Sequence, residues 1–195
     1  TLLNTLGLID TPTSGSYHLM GIDTAGLGEG RRAHLRGQTF GFGFQSFNLI
    51  NGLTTTENVY TPLLYASGSQ FWTRNTRAKQ LLEAVGLESK IDQSIERLSG
   101  GEQQRLRIAQ ALANDPKILL ADEALLSLDL NHQYAVAELI HRFNRERGVA
   151  VVFVTHEINP IIEHVDRVLY LANGRFTVGS VEEVMTSETL TSLYG

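Results

Sequence analysis

Three apolar runs in this chain end on polar side chains of the kind that handle phosphate and water. FGFGFQ closes on Gln45, KILLADE on Asp122 and Glu123, and VAVVFVTH on His156. In an open parallel sheet, ligands bind beyond the carboxyl ends of the strands, so these groups are candidates for a single crevice. There an aspartate can hold Mg²⁺ through water while the neighbouring glutamate polarises an attacking water, and the metal offsets charge on phosphate oxygens. Gln45 could complete the Mg²⁺ shell, and His156 could contact a terminal phosphate. Each residue also admits a plainer reading: a helix cap or solvated strand end for the Asp-Glu pair, a strand cap for Gln45, a hydrogen-bonded strand end for His156. A zinc site fails on spacing, because His156-Glu157 would need a second histidine where Pro160 stands. His18, His34, His132, His141 and His164 show no ligand spacing and read as surface or satisfied residues.

A stronger pattern is LSGGEQQRLRIAQAL, beginning at Leu98. Ser99 with Glu102 three residues later forms a capping box, and Leu106, Ala109, Leu112 and Ala113 make the buried stripe of the helix that follows. A capping box does not require Gly100 and Gly101. Two glycines at that place expose backbone N–H groups at the positive end of a helix and let a phosphate or another backbone come close.

The elements that must position these residues follow from periodicity and breakers. Leu2, Leu3, Leu6 and Leu8 or Ile9 form the apolar side of an opening helix, stopped by Asp10, Thr11, Pro12 and Gly15. SGSYHLMGID reads as a short strand with flanking turns, EGRRAHLRG as a polar helical turn or two, and FGFGFQ as a strand. From Ser46 to about Pro116 the patterns are helical. From Lys117 onward a β-α-β unit follows: KILLA, a helix over HQYAVAELIHRFNRERG, then VAVVFVTH. Near-continuous apolarity in both strand runs predicts strands buried on two faces, in a parallel sheet covered by helices. VLYLANGRFTVGS is a hairpin turning at Asn173-Gly174, and a helix is predicted over VEEVMTSETLTSLYG.

Composition narrows the class. A chain of 195 residues with 42% hydrophobic and 19% charged residues suits one core plus a lobe. The net charge of −5 argues against broad attraction to nucleic acid or anionic lipid, so no nucleic-acid partner is expected. The chain has no cysteine, which excludes disulfides and thiolate metal sites and fits a reducing cytosol. Its longest apolar stretches fall far short of the roughly 20 residues of a spanning helix.

Taken together, Leu98-Ser99-Gly100-Gly101-Glu102-Gln103, Asp122 in ILLADE, Ser127-Leu128-Asp129 and Val154-Thr155-His156 resemble the ATP-binding subunits of ABC transporters. The resemblance covers essentially the whole chain. It implies a P-loop NTPase-like α/β fold with an inserted helical subdomain and a short antiparallel β element. The ATPase core would comprise residues 1–45 and 117–195, and the helical subdomain residues 46–116. It implies ATP and Mg²⁺ as cofactors, with Gln45 as the Q-loop glutamine, Asp122 as the Mg²⁺ aspartate, Glu123 as general base and His156 as the switch histidine. Asp129 would couple two subunits, and Leu98 to Glu102 would meet the γ-phosphate of ATP held by a second nucleotide-binding subunit. An integral membrane permease would be the other partner, placing the chain peripherally at the cytoplasmic face of the cell membrane.

In that family TLLN follows directly on the phosphate loop G-x-x-x-x-G-K-[ST], so Thr1 would adjoin the nucleotide. The pattern occurs nowhere in the 195 residues. The resemblance therefore implies a chain cut just after that loop and inactive alone. Two departures stand out: Ala124-Leu125 where the family usually has Pro-Thr, and Glu102 where Gln is commoner. The front part, through RLSGGEQQRLRIAQALANDPKILLADE, resembles the lipoprotein-release and macrolide-export branch. LLSLDLNHQ and VTHEINPIIEHVDRVLYLANGRFTVGS resemble subunits of zinc or manganese uptake systems. Two rival readings are a soluble ABC-type ATPase of DNA repair or translation and a non-catalytic module docking on a partner ATPase. The repair class usually carries long coiled-coil insertions or tandem nucleotide domains, neither of which is present here.

Overall fold

The computed structural model describes residues 2–44, 49–65, 69–126 and 128–186. Contacts divide the chain into two compact units, Thr1–His156 and Glu157–Gly195.

In the first unit, Leu2–Leu6 forms α1, and its chain leaves through Leu8 in the left-handed region at φ 59°. Leu3 and Leu8 are buried, whereas Leu2 and Ile9 face outward. Where SGSYHLMGID reads as a short strand with flanking turns, the structure has two short strands, β1 (His18–Leu19) and β2 (Ile22–Asp23), paired antiparallel around a turn at Met20-Gly21. Both turn residues have positive φ, 51° and 82°, a conformation that methionine does not advertise. The polar segment after it runs longer than expected, as α2 over Glu29–Thr39. Tertiary contacts explain the extra length: the Arg36 guanidinium donates to the Leu8 carbonyl at 2.8 Å and Arg32 donates to the carbonyls of Leu8 and Ile9 at 3.1 Å. These bonds satisfy carbonyls just beyond the end of α1.

The sheet that carries the candidate site has three parallel strands, β3 (Phe40–Phe44), β4 (Ile118–Asp122) and β5 (Ala150–Val154), with β4 central. Leu119, Leu120 and Ala121 of β4 are buried on both sides, as a covered parallel strand requires, whereas β5, outermost among the described strands, is only partly buried with Ala150 and Val154 exposed, against the expectation of burial on two faces. Leu3, Leu8, Leu19, Phe40 and Leu120 form one core cluster, with Tyr17, Leu35, Phe42, Ile118 and Val152 packed against it. Between β3 and β4 lie α3 (Thr55–Tyr60), α4 (Ser69–Ala84) and α5 (Gly100–Ala111), which pack on one another. Val59, Ala78, Leu81, Leu82, Leu106 and Ala109 are their fully buried apolar residues. At Gly41 the backbone of β3 touches α5: an added Cβ would collide with the Ala111 carbonyl oxygen and sit 2.9 Å from Pro116 Cγ. The helix α6 (Leu130–Arg147) joins β4 to β5, capped by Asp129 and ended by Gly148 at φ 65°.

The second unit holds a hairpin of β6 (Val168–Ala172) and β7 (Arg175–Gly179). Its turn is Asn173-Gly174, as the sequence predicts, with φ 49° and 73°. A short helix, α7 (Val181–Val184), follows behind a Ser180–Glu183 capping box. The short helix expected over VEEVMTSETLTSLYG ends at Val184, with Met185 at its C-cap, and the rest of that stretch beyond Thr186 lies outside the described residues. No helix among the described residues is long and apolar enough to cross a membrane.

Candidate functional site

The strand register sets the site. Phe44, Asp122 and Val154 lie side by side at the ends of β3, β4 and β5, so Glu123 and Thr155, which follow β4 and β5, emerge from one end of the sheet. Glu123 comes next, and its N–H donates to the Val154 carbonyl at 2.8 Å. That bond anchors the Glu123 backbone to the neighbouring strand while its φ of 48° turns the chain out of the sheet. For an L-residue with a long side chain this left-handed conformation costs about 1–2 kcal/mol. Strain of this kind persists where the surroundings over-determine it, and function is a common reason.

His156 reaches Glu123 across the gap between β5 and β4. The carboxylate can only accept, so the imidazole Nδ1–H donates to Glu123 Oε1, at 3.2 Å. Both side chains remain open to solvent, 61% exposed for His156 and 37% for Glu123. Burial, reinforced by the adjacent negative charge of Glu123, pushes the Asp122 carboxyl above the usual aspartate range. Two carboxylates, one half-buried, therefore share a strand end with an imidazole. Such an excess of negative charge suits a hard cation held by oxygen ligands, and Mg²⁺ is typically bound through one or two carboxylates plus water and phosphate. Among the described residues, no group of three or more His, Cys, Asp or Glu could hold a metal ion by itself.

A second group forms at the start of α5. The capping box is complete: the Glu102 N–H donates to Ser99 Oγ at 3.3 Å, and the Ser99 N–H donates to Glu102 Oε2 at 2.8 Å. The Ser99 backbone bond, with lesser help from Lys90 Nζ at 3.3 Å from Oε1, holds the Glu102 carboxyl below the usual glutamate range. Leu98 is buried and anchors this end. The two glycines differ. Nothing lies within 4 Å of a Cβ built on Gly100, whereas Gly101 is covered by the His132 ring of α6. Both glycine N–H groups belong to the first helical turn, which has no intrahelical acceptors.

Asp129 joins this group through the same histidine. Its Oδ1 accepts from the His132 N–H at 3.1 Å and its Oδ2 from the ring Nδ1–H at 2.6 Å. The backbone bond first, then the ring, depresses the Asp129 carboxyl below the usual range. The structure thus brings Asp122, Glu123 and His156 together, and separately joins Gly101 to Asp129. Thr1, Gln45 and Ser127 lie outside the described residues.

Sequence reasoning passed over two residues in these surroundings. His132 reads as a surface or satisfied residue, and it is half exposed and hydrogen-bonded to Asp129, but nothing in its spacing marks the contact with Gly101. Asn58, fully buried in α3, gathers the loop that follows Gln45: its Oδ1 accepts from Ile50 N–H at 2.7 Å, and its Nδ2 donates to the carbonyls of Ile50 at 3.2 Å and Thr54 at 3.0 Å. The available signal was an asparagine, a poor helix former, inside an otherwise helical TTENVY.

A family model described as ABC transporter matches residues 1–126. The chain is 41% identical over 175 residues to the lipoprotein-releasing system ATP-binding protein LolD 1 of Rhodopseudomonas palustris, covering 90% of this chain and 77% of that one. It is 42% identical over 179 residues to the macrolide export ATP-binding/permease protein MacB of Rhodopirellula baltica, covering 89% of this chain but only 25% of that longer protein. Among solved structures, an ATP-binding cassette captured as a dimer in a post-hydrolysis state, bound to ADP and Pi, superposes with a TM-score of 0.78 at 38% identity, covering 90% of this chain and 78% of that chain. The parallel sheet covered by helices and the similarity to that cassette define the fold class as that of an ATP-binding cassette. The chain belongs to the ABC transporter family, as an ATP-binding domain of the ABC ATPase class.

Proposed function

We propose that this chain is the ATP-hydrolysing part of an ABC exporter of the lipoprotein-release or macrolide-export type. It works as a dimer coupled to an integral membrane permease at the cytoplasmic face of the cell membrane. The flush register of β3, β4 and β5 carries the reading, because it gathers Asp122, Glu123 and His156 at one strand edge. Glu123 takes a proton from the attacking water, held in place by its backbone bond to Val154 and by the His156 Nδ1–H. His156 keeps that carboxylate oriented and contacts the terminal phosphate. Asp122, with Gln45, would hold Mg²⁺, which when bound supplies positive charge to the phosphate oxygens.

Residues 1–45 and 117–195 act as the ATPase core, and 46–116 as the helical subdomain that faces the permease. Leu98 to Glu102 present the open glycine tip to the γ-phosphate of ATP held by the opposite subunit, and Asp129 meets that subunit beside it. The similarity to LolD and MacB supports the export assignment. The metal-uptake alternative rests on LLSLDLNHQ and on the segment from Val154 onward.

Because no G-x-x-x-x-G-K-[ST] pattern occurs in the 195 residues, activity is measured with a strand and phosphate loop preceding Thr1. Mg-ATP turnover that disappears in Glu123→Gln supports the proposal. Turnover indifferent to Glu123 and His156 refutes it. Co-purification with a permease, and the kind of permease recovered, separates export from metal uptake and from a soluble repair ATPase.

A further inference from the structure

We propose that His132 is a positioning residue that ties Asp129 and the glycine tip of α5 into one body, so both surfaces meant for the opposite subunit keep a fixed mutual arrangement. The inference rests on the dimer reading above and goes beyond it by giving those two surfaces a common mechanical part.

Three observations carry it. First, residue 132 engages both Asp129 carboxylate oxygens, through its N–H at 3.1 Å and its ring Nδ1–H at 2.6 Å. The second bond holds the ring at its Nδ1, leaving the opposite side, around Cδ2, against α5. Second, that ring lies on Gly101: a Cβ there would run into Cδ2 and stand 3.0 Å from Cγ and Nε2. Gly101 is buried by this contact although His132 itself stays 48% exposed. Third, a Cβ built on Gly100 would meet nothing within 4 Å beyond its own turn of helix. The glycine pair therefore has two separate tasks: Gly100 leaves the helix tip open to an approaching ligand, and Gly101 provides a flat seat for the imidazole. Next along α6, Gln133 Nε2 donates to the Leu125 carbonyl at 3.4 Å, continuing the chain of contacts toward the turn that begins at Glu123.

Removing the ring leaves α6 capped, because Asp129 still accepts the N–H of residue 132, and alanine is a good helix former. His132→Ala therefore folds, and its effect falls on the tie. Amide hydrogen exchange at Glu102 and Gln103 is expected to speed up about 3–10-fold as the first turn of α5 loosens. In the subunit carrying its phosphate loop, kcat is expected to fall about 3–10-fold with KM for ATP within about twofold, since positioning is lost and the subunit's own nucleotide contacts are untouched.

Gly101→Ala pushes the ring from its seat and should lower kcat by the same factor. Combined with His132→Ala it should add nothing, because the new Cβ then has room. Unchanged exchange at Glu102 and Gln103, or losses that multiply in the double variant, overturns the proposal. Glu123→Gln, run alongside, tests the functional reading separately. If turnover survives that substitution, the dimeric ATPase reading fails, and the exchange measurement alone decides whether His132 ties the two elements.

Discussion

Glu123→Gln separates chemistry from architecture at the strand edge, and the structure sets both magnitudes. The substitution removes a charge and keeps the shape. The contact with His156 spans 3.2 Å between side chains that are 61% and 37% exposed, so losing its ionic part costs no more than about 1 kcal/mol. The glutamine carbonyl still accepts the imidazole proton, and the backbone bond to Val154 and the φ of 48° are unchanged. A second effect has the opposite sign. The Asp122 carboxyl is raised first by burial and then by the Glu123 charge. A carboxyl raised in the folded state contributes stability below its unfolded pKa and loses it as pH climbs through the folded value. Removing the neighbouring charge therefore lowers the Asp122 pKa and eases the fold at neutral pH.

The net change in unfolding free energy is expected to stay within about 1 kcal/mol. Turnover should fall about 10²–10⁴-fold, the usual loss with a general base, equivalent to roughly 3–5 kcal/mol of barrier. The assay pairs urea unfolding with steady-state Mg-ATP hydrolysis on a polypeptide that carries a phosphate loop. An NMR titration of Asp122 reports the charge effect directly. The reasoning is refuted if stability drops by more than about 2 kcal/mol while turnover stays within about twofold of the parent, for Glu123 would then be a structural cap.

Glu123→Gly should raise stability by about 0.5–1 kcal/mol in urea titrations while abolishing turnover, because glycine adopts the left-handed φ without strain; a destabilised variant would show that the observed turn stores none. Asn58→Ala leaves the Ile50 N–H and several loop carbonyls without their partner and should cost about 2–4 kcal/mol, a loss below about 1 kcal/mol counting against the clasp. Ser99→Ala removes an N-cap and should lower stability by about 1 kcal/mol. The depressed Glu102 carboxyl contributes stability above its unfolded pKa that is lost as pH falls through the folded value, so Glu102→Gln should flatten that part of the acid limb in unfolding curves. Gly41→Ala drives a Cβ into the Ala111 carbonyl and should cost at least about 2 kcal/mol by thermal melting; wild-type melting would mean that β3 can shift away from α5.

Much of the site was legible in the residues because its signals are local. A strand run ending in Asp-Glu, another ending in histidine, and a Ser-Gly-Gly-Glu box before an apolar stripe each depend on neighbours within a few positions, and the observed β4, β5 and α5 keep those expectations. Departures occur where distant atoms decide. EGRRAHLRG grows to three turns because Arg32 and Arg36 find carbonyls beyond the end of α1, and SGSYHLMGID folds back at Met20-Gly21 although methionine is no turn signal. His132 reads only as a surface or satisfied residue, and its contact with Gly101 was not legible because that glycine is on another helix.

From the chain of residue types alone came the parallel sheet, the hairpin at Asn173-Gly174, the capped glycine helix and the chemistry available at each strand end, all set by periodicity and short-range hydrogen bonding. Tertiary structure alone decided which ends stand flush, that Glu123 takes a left-handed backbone bonded to Val154, and that one glycine of the pair is covered while the other is open. Those outcomes depend on strand register and helix contact between segments about 30 to 80 residues apart in sequence, a separation at which local pattern carries no geometric information.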